Sequence, residues 1–170
     1  MAGKLDKNSV SLAGEFAVLS QLILRGYDAN LTLGHTKGVD ILVSNPKSGK
    51  MFKLEVKTNY RNISSKGSNS GLFGKFVSAW TMSKKHESII DSNLYYCFVN
   101  INKSNRSFRF FILPSSIVAQ YVGKQHKLWL KENRNHRDTD LRKFRIGFRK
   151  ESYRMSTPTV EEYENNWELK

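Results

Sequence analysis

Acidic side chains are scarce in this sequence. Only 15 Asp and Glu stand against 28 Lys and Arg, giving a formal net charge of +13 at pH 7. Cysteine is nearly absent as well. Cys97, the single one, lies in the apolar run Tyr95-Tyr96-Cys97-Phe98-Val99, so no internal disulfide is available and it reads as a small core residue in a reducing compartment. No apolar run reaches the roughly 18 residues that a membrane-spanning helix needs. Met1-Ala2-Gly3-Lys4 leads into polar residues rather than the apolar stretch of a secretory signal. His35, His86, His126 and His136 are scattered and match no zinc-ligand spacing. These absences predict a cytoplasmic, intracellular protein with no membrane partner. The basic excess favours a polyanion, because each phosphate neutralised releases counterions. Nucleic acid fits better than a membrane surface or an acidic protein, since no segment reads as a basic amphipathic surface helix.

The 170 residues suffice for one domain, 1–170, with no internal repeat and no linker. Its core is expected over about 9–113, and a basic extension of helix and strand over about 114–170. Residues 9–25 read as a helix, with Ser9 or Ser11 as its cap and Gly26 at its end. Leu12, Phe16, Leu19, Leu22 and Ile23 recur at helical spacing, and Glu15 falls in line with Leu12, Leu19 and Leu22, so it is expected to face the core. Strands are expected at Tyr27–Leu33, Val39–Val43 and Met51–Thr58, the last two joined by the turn Asn45-Pro46-Lys47-Ser48-Gly49. A Gly/Ser-rich loop fills 61–75, and a loop of this length is often functional. A short helix around Met82–Ile90, strands at Leu94–Asn102 and Phe108–Leu113, and a helix from Pro114 to about Val122 complete the readable part. Ser115 and Ser116 read as a helix cap rather than a nucleophile. This order predicts a mixed α/β layer architecture with a central sheet flanked by helices.

Within this frame the few acids are not spread evenly. Of the five before Glu87 (Asp6, Glu15, Asp28, Asp40, Glu55), two flank the hairpin turn; the tail holds Glu161, Glu162, Glu164 and Glu168. Asp40 follows Gly38-Val39, and Glu55-Val56-Lys57 lies on the next strand. Alternation points Phe52, Leu54 and Val56 one way and Lys53, Glu55 and Lys57 the other, so the hairpin can set Asp40 beside Glu55 on one face. Converging carboxylates repel unless some are protonated or a cation sits between them. Hard oxygen ligands suit Mg²⁺, which takes one or two carboxylates and keeps waters. The Val56 carbonyl can add an oxygen, and Lys57 is placed to orient a water or counter charge on a phosphate.

Asp40, Glu55-Val56-Lys57 and the upstream helix with Gly14-Glu15 together resemble the PD-(D/E)XK nuclease superfamily, which includes restriction endonucleases and Holliday-junction resolvases. The resemblance implies a restriction-endonuclease-like αβββαβ core. It implies a Mg²⁺-dependent endonuclease, with Mn²⁺ substituting, that cuts DNA in preference to RNA and works as a homodimer. Asp40 and Glu55 would be metal ligands with the Val56 carbonyl, Lys57 the catalytic lysine, and Glu15 an accessory carboxylate near the metal. Val39 stands where such motifs usually carry proline. The match spans about 50 residues and leaves the C-terminal third uncovered, and Glu168-Leu169-Lys170 repeats the short pattern without its context.

Lys53, Arg61, Lys66, Lys84, Lys85 and His86 are candidate phosphate contacts; as a charge cluster at a helix start, Lys84, Lys85 and His86 also fit a solvated face. Trp80, Trp129 and Trp167 read as packing residues rather than base-stacking platforms. Two other activities share the composition: a nucleic-acid-binding module that cuts nothing, and a toxin-type nuclease that cleaves RNA or tRNA.

Overall fold

The first helix, α1, spans Lys7–Ile23 and is capped by Asp6, whose carboxylate accepts the Ser9 N–H. An aspartate at this position satisfies a helix N–H that would otherwise lack a partner, so the cap lies upstream of the expected Ser9 or Ser11. Gly26 ends the turn with φ 82, a left-handed conformation open to glycine at little cost. The computed structural model describes residues 5–32, 38–64 and 66–170. Met1–Lys4, the expected strand end at Leu33, His35, and Ser65 of the expected loop lie outside the described residues. The described chain forms two compact units, Met1–Asn62 with Asn93–Ile112 and Asn165–Lys170, and Ile63–Ser92 with Leu113–Glu164.

In the first unit, β1 (Asp28–Leu31), β2 (Ile41–Ser44) and β3 (Met51–Tyr60) form an antiparallel meander. β6 (Leu94–Ile101) adds parallel to β3, and β7 (Phe108–Pro114) closes the sheet in the order β1-β2-β3-β6-β7. The expected mixed α/β class with a central mixed sheet is therefore present. Every residue of β6 is buried, as a central parallel strand covered on both faces should be. α1 packs on β3 and β1. Its buried face is Gly14, Val18 and Leu22, whereas Leu12, Phe16 and Ile23 are 49%, 54% and 53% exposed. The apolar residues of α1 thus belong to two stripes, and only the one led by glycine meets the sheet. The core joins Val18 and Leu22 to Ile41, Val43, Phe52, Leu54, Cys97 and Val99. The end of the chain enters the same core: Trp167 and Leu169 are buried, and the Tyr27 hydroxyl donates to the Trp167 carbonyl at 3.0 Å. The Glu168–Lys170 repeat of the pattern is an exposed surface pair.

In the second unit, β4 (Ser68–Ser70), β5 (Gly74–Ser83) and β8 (Leu141–Gly147) form an antiparallel sheet in the order β4-β5-β8, with α2 (Ser115–Glu132) packed on β8. A 3-10 turn at Lys84–Glu87 and the four-residue α3 (Val160–Tyr163) complete it. Several expectations change here. The 61–75 loop contains β4 and the start of β5; Ser-Asn-Ser carries no apolar signal, because an edge strand is held by its ladder rather than by burial. The Met82–Ile90 helix is the end of β5 followed by one 3-10 turn. The link from β3 to its parallel neighbour β6 is built of β4, β5 and that turn, where the αβββαβ core has a helix. α2 runs about ten residues past Val122. Ser115 is its first residue rather than its side-chain cap: the fully buried hydroxyl donates to the Asp91 carbonyl and accepts the Asp91 N–H. Arg142, in the basic extension, is 2% exposed and tied to Glu87, Asp138 and the Leu141 carbonyl. A buried guanidinium with several acceptors is a structural pin rather than a surface charge.

Candidate active site

The hairpin register decides where the acids meet. Ile41 pairs with Leu54, so Asp40 and Glu55 flank that pair at the mouth of the hairpin. Asp40 lies just before β2; its N–H donates to the Leu54 carbonyl at 2.8 Å. Its Oδ2 accepts the Val56 N–H at 2.6 Å. A charge-assisted bond of this length fixes the carboxylate against the strand that carries Glu55 and Lys57. Glu55 is 2% exposed, which departs from simple strand alternation, since Leu54, Glu55 and Val56 are all buried. Lys57 Nζ lies 2.5 Å from Glu55 Oε1. A buried carboxylate needs such compensation.

Tyr96 had no place in the sequence reading, yet it sits opposite Glu55 in the parallel β3–β6 register. Burial pushes its phenol above the ordinary range, and the charge and side-chain hydrogen bond of Glu55 push it the same way. The only signal for this neighbour was strand pairing, which an unbroken apolar run does not reveal. Two glycines shape the surroundings. Gly38 has φ 78, and a Cβ there would lie 3.4 Å from Glu55 Oε2. Gly14 brings α1 onto β3 so closely that a Cβ would lie 1.9 Å from Thr58 Oγ1. That approach carries the neighbouring Glu15 toward the hairpin mouth. Glu15 is half-buried; burial raises its pKa and the Asp40 charge raises it further, while the Ser11 hydroxyl, donating at 3.2 Å, and Lys57 pull it down.

Asp40, Glu55, Val56 and Lys57 are thus brought together, with Glu15 coupled to them through Asp40. Among the described residues, no group of three or more His, Cys, Asp and Glu side chains could hold a metal. The oxygen set here is two carboxylates with the Val56 carbonyl, hard donors of the kind Mg²⁺ takes one or two of, rather than an all-protein cage. Burial raises the Glu15 pKa first and the Asp40 charge adds to it; the second contribution is one that a cation would relieve. The donor set therefore fits the group.

The candidate phosphate contacts divide. Lys53 and Arg61 are exposed in the first unit; Lys66, Lys84 and Lys85 are exposed in the second. His86 is 3% exposed. Its Nδ1 lies 3.2 Å from the Ser83 N and 2.9 Å from the Ser83 carbonyl, so it caps the 3-10 turn and leaves the list of surface contacts. Lys84 is engaged with Asp138 at 2.7 Å. No helix among the described residues is long and apolar enough to cross a membrane.

No protein-family model matches the sequence, and no curated protein matches it. Solved structures are similar, two of which follow. A bacterial homing endonuclease, I-Ssp6803I, aligns over 96% of this chain and 90% of its own, at 12% identity and a TM-score of 0.52. The Archaeoglobus fulgidus Holliday junction resolvase Hjc aligns over 79% of this chain and 83% of its own, at 14% identity and a TM-score of 0.41. With the sheet order and the hairpin above, the similarity shows that this chain shares the fold of the homing endonuclease.

Proposed function

We propose that this protein is a metal-dependent endonuclease that hydrolyses phosphodiester bonds of nucleic acid, DNA in preference to RNA. The observation that carries the reading is the Val56–Asp40 hydrogen bond, which locks Asp40 beside the Glu55–Lys57 pair. Asp40, Glu55 and the Val56 carbonyl would hold Mg²⁺ or Mn²⁺. A divalent cation there supplies activation of water at neutral pH and charge neutralisation at the phosphate. Lys57, beside Glu55, would donate a hydrogen bond to the attacking water and counter charge growing on the phosphate. Glu15, whose pKa burial and the Asp40 charge raise, would support the site as an accessory carboxylate. The net charge of +13 supplies the non-specific attraction to the backbone. The name of the similar homing endonuclease agrees with this chemistry.

An exposed apolar row, Leu5 just before α1 and three residues on it, supports the expected homodimer. Leu5, Leu12, Phe16 and Ile23 are 45%, 49%, 54% and 53% exposed and stand at intervals of seven, four and seven. The pattern reads the same in both directions, as the two-fold contact of an antiparallel helix pair requires.

The experiment is incubation with duplex DNA, single-stranded DNA and tRNA, each with Mg²⁺, Mn²⁺ and EDTA. Mg²⁺-dependent cleavage of DNA that is lost in Asp40→Ala is the expected result. Cleavage confined to tRNA would move the assignment to an RNA-cleaving nuclease. One observation favours a second reading, a binding module without cleavage: Lys57 already neutralises Glu55 at 2.5 Å. Binding without cutting of any substrate would establish it.

A further inference from the structure

The second unit contains a cavity of about 670 Å³, within the roughly 300–1,000 Å³ common for small-molecule sites. Two periodicities build its walls. Gln125, Trp129 and Glu132 recur at helical spacing on α2; Leu141, Lys143 and Arg145 alternate along β8. Phe73 and the segment before it form a third side.

The chemistry of the lining is specific. Trp129 stacks on His136 with ring centroids 3.8 Å apart and planes 6° apart, and His126 stacks on Trp129 at 5.4 Å. The Arg145 guanidinium lies 4.3 Å from the Phe73 ring centroid. Gln125 is 4% exposed, and its side-chain oxygen accepts no hydrogen bond. Buried amides are ordinarily satisfied, and this buried oxygen, on a residue that lines the cavity, has no protein donor. Arg154 is paired with Glu132, which leaves Lys143 and Arg145 to give the wall positive charge. Flat rings, one unpartnered acceptor and two cations together match a flat heteroaromatic ring with amino groups that is joined to a phosphate. A purely apolar ligand would leave Gln125 and the cations unmatched, and a bare phosphate would leave the rings unused.

We propose that this cavity is a nucleotide site, taking one unstacked nucleobase against the Trp129–His136 wall and its phosphate on Lys143 and Arg145. The base comes from a free nucleotide or from a nucleotide of a bound strand. Neither source requires the chain to cleave anything, so the site stands or falls apart from the nuclease reading.

The test is calorimetric titration of the full chain in EDTA with adenosine 5′-monophosphate, adenosine, inorganic phosphate and a single-stranded tetranucleotide. Adenosine 5′-monophosphate is expected to bind more tightly than adenosine or phosphate alone. Trp129→Ala and Gln125→Leu should each weaken it roughly tenfold, about the value of one stacked base. Lys143→Gln, at an exposed strand position that does not threaten folding, should weaken the nucleotide but not adenosine. Lys50→Gln, on the β2–β3 turn, serves as the control and should change nothing. Tighter binding of the tetranucleotide assigns the site to a strand, and tighter binding of the monophosphate assigns it to a free nucleotide; either supports the site. No binding of any probe overturns the proposal. So does phosphate matching the monophosphate, or an affinity indifferent to both Lys143→Gln and Trp129→Ala in folded protein.

Discussion

Asp40 Oδ2 accepts the backbone N–H of Val56 at 2.6 Å, so an acid before one strand is anchored to the residue between Glu55 and Lys57 on the next. The bond reports hairpin register: a slip of one residue would turn Glu55 and Lys57 to the opposite face. Asp40→Asn keeps an acceptor for Val56 and removes the charge. The variant is expected to fold, to bind nucleic acid largely as before, and to lose Mg²⁺-dependent cleavage. Wild-type cleavage by folded Asp40→Asn would remove the aspartate from the chemistry.

Lys57 separates a structural from a catalytic reading of the Glu55 pair. If the ammonium only neutralises a buried carboxylate, Lys57→Ala costs stability and Mg²⁺ restores it. If it also acts on the attacking water or the phosphate, cleavage falls about 10²–10³-fold at saturating Mg²⁺ while the melting temperature with Mg²⁺ recovers. The two outcomes are read from one sample by a thermal melt and a rate measurement.

The hairpin was legible in the sequence because two alternating strands and a Pro-Gly turn leave one pairing that buries Ile41, Val43, Phe52 and Leu54 together. Glu15 was legible for a different reason than helical spacing suggested. Leu12, with which it was aligned, faces outward, and Glu15 approaches Asp40 because Gly14 lets α1 settle on Thr58. Tyr96 was hidden, since its position depends on a parallel pairing between strands more than thirty residues apart in sequence. β4 was hidden because ladder hydrogen bonds hold an edge strand without an apolar stripe, and β8 because Arg142, Lys143 and Arg145 mask its two buried apolar residues, Phe144 and Ile146. The candidates Lys53 and Arg61 remain exposed, whereas His86 reads as basic surface in sequence and is a buried cap in the fold.

The raised pKa of Glu15 makes a signed prediction. Burial and the Asp40 charge favour the protonated carboxyl in the folded state, so this contribution to stability is fully present below the unfolded carboxylate pKa. It is lost as pH rises through the higher folded value. Glu15→Gln escapes that loss: in EDTA its melting temperature should exceed that of the wild type near neutral pH and converge with it below about pH 4. Mg²⁺ should narrow the gap at neutral pH by relieving the wild-type carboxylate. A variant no more stable than the wild type at any pH would show that Glu15 carries no electrostatic strain.

Gly14 is predicted to be a packing requirement of the site. The Cβ of Gly14→Ala would meet Thr58 Oγ1 at 1.9 Å and Thr58 Cβ at 2.9 Å, and relief must come from moving helix or strand. The expected cost is about 1–3 kcal/mol, measured by urea unfolding, with a loss of cleavage as Glu15 is displaced. Adding Thr58→Ala removes the nearest contact and should recover part of the stability, giving a coupling between the two sites. Additive costs would place the strain elsewhere.

The α1 stripe gives the test of assembly. In an antiparallel pair centred on Gly14, Leu5 meets the partner's Ile23 and Leu12 meets the partner's Phe16, so each protomer supplies both halves of the contact. An exposed row of large apolar side chains is a common sign of an interface. Phe16→Glu would place two carboxylates near the two-fold axis without touching Gly14, Val18 or Leu22, which hold the helix to the sheet. Light scattering across a range of concentrations is expected to show a wild-type dimer and a folded Phe16→Glu monomer. A two-site nuclease cutting both strands of a duplex would then nick rather than break plasmid DNA when monomeric. A wild type that stays monomeric at every concentration would leave the stripe without a second copy and return the chain to single-site cleavage.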